Sequence, residues 1–504
     1  MKIAIPKSDA KIYCFLAIFV IVLMFFVSPD SYTHDLFDRT DSTIFFMAGK
    51  AWMNGMIPYS DFTDTKGPLL WLIYGIGYLL SHTDYIGIFW ISCLFAFFSY
   101  ALTYKIAHLF LSRQLSVGCS IAMTLVYFNP AINYEIRCED FCMPFVLLAI
   151  YRTCLHLYQD HKSFYLSSFL IGLSIGATTM MKYSIAINIC VVLPFVLYEC
   201  HKSGFRVFRC LASIAGGVLL VVIPFAAYFL AQGCFNDFIN GYFVFALQTI
   251  DHSQGTLRII FYKLTANSET LAWLLLAVTT PIYIPYLTRY RYFPLIASFW
   301  FAIVTFQNAV YPYYYSCCAP FMIFLFISLL WLIHFFAHHT GTHLQHSYTY
   351  TFLFSILILA LAIFNNLGFY YFNQQSNDKF QHLRNLFLQG GVNNIPSISY
   401  HKYANIMRNK EKPKVLYLHS LETHGFEVPA NGLPACKYWF LPNGSTPNIV
   451  AEQEEACKKG IPDYIFVPTT DRKGQSYLEC LGYRRYYCKD IDFTMYINPQ
   501  NGKR

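Results

Sequence analysis

The chain has 504 residues, of which 56% are hydrophobic, 19% aromatic and 13% charged, and its mean hydropathy is +0.39. Soluble globular proteins carry roughly 25% charged residues, so the composition excludes a water-soluble particle with an ordinary polar surface. The formal net charge of +8 reads as a topology signal rather than a nucleic-acid surface, because Lys and Arg collect in the cytoplasmic loops of membrane proteins.

The first apolar run, roughly Tyr13 to Val27, follows Lys2, Lys7 and Lys11. Ser28-Pro29-Asp30 comes next instead of a small-residue cleavage site. The run therefore reads as a retained first helix with a cytoplasmic N-terminus. The polar segment from Pro29 to about Pro68 is then expected outside. Within it, Ile44, Phe45, Ala48, Ala51 and Trp52 fall on one apolar stripe at helical spacing, predicting a helix over Asp41 to Asn54. Thr40 or Asp41 can cap its start, and Gly55 with Pro58 stops it. Such a helix is expected to lie flat on the membrane with Trp52 at headgroup depth. Leu69 to Ser81 predicts a second short helix; its rise of about 20 Å cannot span the hydrocarbon.

Further along, the basic clusters Lys105 with Arg113, Arg152 with Lys162, Lys202 with Arg206 and Arg209, and Arg289 with Arg291 mark the cytoplasmic side. They predict spanning helices near 85–110, 115–130, 141–158, 164–181, 184–200, 210–231, 269–287, 293–310, 319–336 and 349–370. With the first, that makes about eleven crossings. From about Asn373 the composition changes: charged residues increase, and strand-like runs at Val415–Leu418 and Tyr464–Val467 flank a helical segment over Asn448 to Lys459. This predicts a division into a transmembrane part, 1–372, whose first outer loop covers about 29–84, and a small soluble α/β domain, 373–504. Cys436, Cys457, Cys480 and Cys488 fall in that predicted outer domain, where disulfides can form; pairing and free thiols both stay open. The histidine run from His334 to His346 lies in a predicted cytoplasmic loop and reads as solvated rather than metal-binding.

Two residues of the first loop suggest chemistry. Asp41, at a helix start beside the headgroup plane, could take a proton from an attacking hydroxyl, or it could serve only as a cap. Lys66, preceding Gly67-Pro68, suits a phosphate, or simply snorkels to ordinary lipid.

The order of several motifs resembles the GT-C membrane glycosyltransferases. Asp41-x3-Phe45, Gly55-Met-Ile-Pro58-Tyr59-x-Asp61 and Asp64-Thr-Lys66-Gly67-Pro68-Leu69 look like that class's first outer loop. Arg137-Cys-Glu139-Asp140-Phe-Cys-Met-Pro144 resembles its second. Gly172-x3-Gly176-x5-Lys182 resembles a glycine-containing helix ending in an outward lysine, and Tyr311-Pro-Tyr-Tyr-Tyr315-x4-Pro320 a later tyrosine-proline lead-in to a helix. The likeness covers roughly residues 10–335 and is nearest the branch with protein O-mannosyltransferases and lipid A aminoarabinose transferases.

The resemblance implies a polytopic helical bundle around a cavity, interfacial helices in the first loop and an outward soluble tail. It implies an inverting glycosyltransferase of the cell membrane, with a polyprenyl-phosphate sugar as donor and a glycolipid, glycan or protein hydroxyl as acceptor. Asp41 maps to the general base, Lys66 to the phosphate contact, and Lys182 and Tyr315 to further donor contacts; Asp64, Glu139 and Asp140 are supporting acids or alternative bases. No cofactor is required, since phosphate is already a good leaving group, although a divalent cation between Asp41 and Glu139 or Asp140 stays open. Three departures from the family pattern leave the acceptor open: Ser42 follows Asp41 in place of a second acid, Ile44 replaces an arginine, and Thr65-Lys66-Gly67 replaces Glu-Lys-Pro. A transporter or flippase of lipid-linked saccharides, or a polysaccharide polymerase or ligase, are the competing readings. Transporters commonly show repeats and mid-membrane charges; here there is no clear repeat, and the charges gather at predicted helix ends.

Overall fold

The computed structural model describes residues 7–28, 30–31, 40–127, 137–159, 163–248, 290, 292–305, 320–328, 357, 399–442, 445–488 and 491–502. The chain forms two compact units: Met1–Ser28, Ser92–Pro224 and Asp251–Ser376 make one, and Pro29–Ile91, Phe225–Ile250 and Asn377–Arg504 the other.

The helices are, in order, α1 (Lys7–Val27), α2 (Thr40–Met53), α3 (Pro68–Leu80), α4 (Ile86–His108), α5 (Arg113–Ala122), α6 (Thr124–Tyr127), α7 (Cys138–Tyr158), α8 (Phe164–Thr179), α9 (Tyr183–Ile189), α10 (Val192–Lys202) and α11 (Val207–Ala231). Among the described residues, five helical stretches are long and apolar enough to cross a membrane: Asp9–Val27, Ile86–His108, Cys138–Tyr158, Tyr183–Lys202 and Val207–Ala231. Ile18, Leu94, Phe98, Phe208, Leu219 and Ile223 stay exposed on them, as expected for side chains that face lipid. The protein is thus a multi-pass membrane protein. The segment expected at 115–130 bends at Met123, which separates α5 from α6. α8 has 16 residues, a rise of about 24 Å. The expected helix at 269–287, that at 349–370 apart from Leu357, and the histidine run lie outside the described residues.

In the first unit, glycines set the helix spacing. A Cβ on Gly172 of α8 would sit 2.0 Å from the Ile214 carbonyl oxygen of α11, and one on Gly217 would sit 2.1 Å from that of Phe169. Gly176 approaches Val218 in the same way. The two backbones therefore pack nearly in contact, as small residues allow in membrane helix pairs. Hydroxyls join α4 to α5 and α6: Tyr100 pairs with Thr124 at 2.7 Å, Thr103 with Tyr127 at 2.9 Å, and Ser120 donates to the Tyr100 carbonyl at 2.8 Å.

The second unit is built on the α2–α3 hairpin. The helices cross at Gly49, where a Cβ would lie 2.4 Å from the Gly75 nitrogen. The turn after α2 begins at Gly55 (φ +86°) and passes through Tyr59, fully buried at φ +65°. Tyr59 packs against Trp71, Phe229, Phe238 and Tyr242, and this aromatic contact holds a backbone conformation that L-residues disfavour.

The C-terminal part of this unit is a small mixed sheet in the order β2-β1-β3-β5-β4. β1 (Lys414–Tyr417) runs parallel to β2 (Leu433–Pro434) and β3 (Tyr464–Pro468), and β5 (Phe493–Ile497) lies antiparallel to β3 and to β4 (Arg484–Tyr487). The runs read from the sequence are β1 and β3, and the expected helix is Pro447–Lys458. Leu416, Leu418, Cys457, Ile465, Val467, Leu478 and Tyr496 form its core. All four cysteines of this region carry free thiols, and burial pushes those of Cys436 and Cys457 up to about 12.

Candidate active site

Asp41 occupies the first turn of α2, half-buried, and Phe45 follows one turn later on the same face. The Lys66 ammonium stands 5.5 Å from the Phe45 ring centroid and donates to the Thr65 hydroxyl at 3.4 Å. Asp64 is buried, and one of its oxygens accepts from the same Thr65 hydroxyl at 3.4 Å. Asp64 and Lys66 are thus joined through Thr65, and Lys66 reaches the ring that stands one helical turn after Asp41.

The loop motif supplies the shape. The Asp61 carboxylate accepts the Ile57 N–H at 2.7 Å, Tyr59 N–H bonds to the Phe62 carbonyl at 2.7 Å, and the Tyr59 hydroxyl donates to the Lys66 carbonyl at 2.7 Å. Tyr59 and Asp61 thus brace the turn that presents Asp64 and Lys66. Gly67 is the N-cap of α3 and Pro68 its first residue, a position where the missing N–H is not needed.

A second group lies in the other unit. Glu139, in the first turn of α7 and nearly fully buried, forms an ion pair with Lys182, the N-cap residue of α9. Asp140 accepts the Arg137 N–H at 2.8 Å, closing the start of α7. Beside Asp140 opens a cavity of about 40 Å³ lined by Ser92, Ser99, Tyr100, Tyr127 and Met143. Tyr315 lies outside the described residues. Among the described residues, no group of three or more His, Cys, Asp or Glu side chains is arranged to hold a metal ion.

The apolar stripe of α2 predicted one buried face. The structure also buries Ser42, Thr43, Phe46, Met47 and Lys50, because α3 and the C-terminal segment pack around the helix. Thr43 bonds to the Tyr85 hydroxyl at 2.7 Å and lies against Gly425; Trp52 donates to the Tyr228 hydroxyl at 2.9 Å. Lys50 and Glu427 were not singled out by sequence reasoning, yet both are fully buried. Burial pushes the Lys50 ammonium down to about 7 against the opposing pull of Glu427, and burial raises the Glu427 carboxyl. The available signal was Lys50 itself, a lone cation inside an apolar helix; Glu427 sits in a loop with no pattern around it.

The fold is similar to that of ArnT from Cupriavidus metallidurans bound to undecaprenyl phosphate, with a TM-score of 0.61, 12% identity, and 96% of this chain and 98% of that chain covered. The apo form of that protein gives a TM-score of 0.61 at 11% identity, covering 98% of this chain and 99% of that chain. Arabinofuranosyltransferase AftD from Mycobacteria matches at a TM-score of 0.52 and 10% identity, over 98% of this chain and 42% of that chain. No curated protein sequence matches. The likeness to ArnT is one of fold over nearly the whole chain, and part of the chain also matches a family model. The family whose model it matches, over residues 65–228, is dolichyl-phosphate-mannose-protein mannosyltransferase.

Proposed function

We propose that the protein moves one sugar from a polyprenyl-phosphate donor to an acceptor hydroxyl on the extracytoplasmic side, with inversion, using Asp41 as general base. In this reading residues 1–372 form the catalytic membrane part and 373–504 an extracytoplasmic domain. The observation that carries it is the Lys66 ammonium over the Phe45 ring, one helical turn from Asp41. A carboxylate and a cation at one helix start are the two charges the reaction needs.

The acceptor oxygen attacks the anomeric carbon as its proton passes to the Asp41 carboxylate. The bond from that carbon to the phosphate oxygen breaks, and the lipid phosphate leaves with the electron pair. Lys66 offsets the charge gathering on the departing phosphate, with Lys182 and Tyr315 as further donor contacts. Asp64 sits buried beside Lys66 and orients it through Thr65. Glu139 holds Lys182 by their ion pair, and Asp140 fixes the start of α7.

The test is transfer by the purified protein in detergent, with a polyprenyl-phosphate sugar and a membrane-extract acceptor. Consumption of the donor without a second compartment is expected for an enzyme and excludes a pure transporter. Asp41→Asn keeps the shape but cannot take the proton, so its rate should fall by about 10²–10⁴-fold with an unchanged melting profile. A wild-type rate in that variant rejects Asp41 as the base.

A further inference from the structure

We infer that Lys50 and Glu427 are positioning residues for this transfer: their buried charges register the helix that begins at Asp41 against the C-terminal sheet. The inference rests on the reading of Asp41 given above. Lys50 lies on α2 nine residues after Asp41, about 13 Å along a rigid helix, so a shift at one end moves the other. Its ammonium stands 5.7 Å from the Tyr78 ring centroid on α3 and has no hydrogen-bond partner among the described residues.

Glu427 is equally buried. One carboxylate oxygen accepts the Tyr417 hydroxyl of β1 at 2.6 Å, and the other has no hydrogen-bond partner among the described residues. Tyr78 links the two: it carries Lys50 over its ring and bonds to Asn431, next to Gly432, whose N–H donates to the Glu427 carbonyl, so both charges share one interior without an ion pair closer than 4.0 Å among the described residues. Two opposite charges withdrawn from water are each costly alone, so a displacement that separates them is strongly disfavoured. The surrounding ties are weaker and mostly uncharged: Thr63 N–H to the Lys437 carbonyl at 3.1 Å, Tyr78 to Asn431 at 3.5 Å, and Lys437 to Asp237 at 3.8 Å. The pair thus makes the C-terminal segment part of the device that aims Asp41.

The experiment is a double-mutant cycle of full-length Lys50→Met, Glu427→Gln and the combined variant, assayed for transfer with kcat and donor KM measured separately. Each single change should lower kcat about tenfold with donor KM within about threefold, and the pair should lose about tenfold rather than a hundredfold, since the second change removes nothing more. Size-exclusion and thermal melts in detergent identify variants that fold; if a single variant does not, the combined one is judged alone. Wild-type kcat in folded variants, losses that multiply, or a change in KM only would overturn the inference. Absence of transfer by the unmutated protein would instead strike the proposed function, and full activity of Asp41→Asn the assignment of the base.

Discussion

Lys66 carries its ammonium 5.5 Å from the ring centroid of Phe45, two residues that come from different sides of a turn and meet at the start of α2. The ring face favours the cation. Lys66→Ala should therefore raise donor KM about tenfold or more while lowering kcat less, because the lost charge contacts the phosphate in ground and transition states alike. Steady-state kinetics over a donor series checks it; a fall in kcat at constant KM would contradict a binding role.

Glu139 and Lys182 form a nearly buried ion pair at the starts of α7 and α9. Removing one partner strands the other, at a cost of about 3–5 kcal/mol. Lys182→Met should lower the melting temperature in detergent clearly, and Glu139→Gln added to it should recover most of the loss. Equal melting of the single and double variants would show that the two charges are not coupled.

Gly49 crosses α3 where a Cβ would lie 2.4 Å from backbone nitrogen. No rotamer relieves a backbone clash, so Gly49→Val should separate α2 from α3 and cost on the order of 3 kcal/mol. Gly55→Ala makes the contrast: nothing lies near its missing Cβ, but its φ of +86° limits the loss to about 1 kcal/mol. Melting curves of the two variants should rank in that order.

Lys50 also predicts a pH dependence of stability. Its ammonium is pushed from 10.5 down to about 7 in the folded protein, so unfolding takes up a proton between those two values. Stability should rise with pH from about 7 to 10.5, by up to about 5 kcal/mol. Below about 7 the burial penalty is constant, and the Lys50 contribution to the slope disappears. Melting temperatures from pH 7 to 9.5 should climb in the wild type relative to Lys50→Met; parallel curves would refute the shift.

The sequence by itself determined the membrane character, the two short helices of the first loop, the stop at Gly55 and the strands β1 and β3, because these depend on apolar runs, periodicity and local turn chemistry. It also placed Asp41, Asp64 and Lys66 in one stretch of the chain, because they are near neighbours in sequence. Short or irregular elements such as β2 and the exposed β4 carry no periodicity and were not legible. The glycines of α8 could be seen, but not that they let α8 meet α11 at backbone distance. Only the tertiary structure decided that α2 is buried along most of its length and that Lys50 shares a buried interior with a glutamate 377 positions later in the chain. Such a pairing arises from packing between segments distant in sequence, and no local pattern encodes the partner of a buried charge.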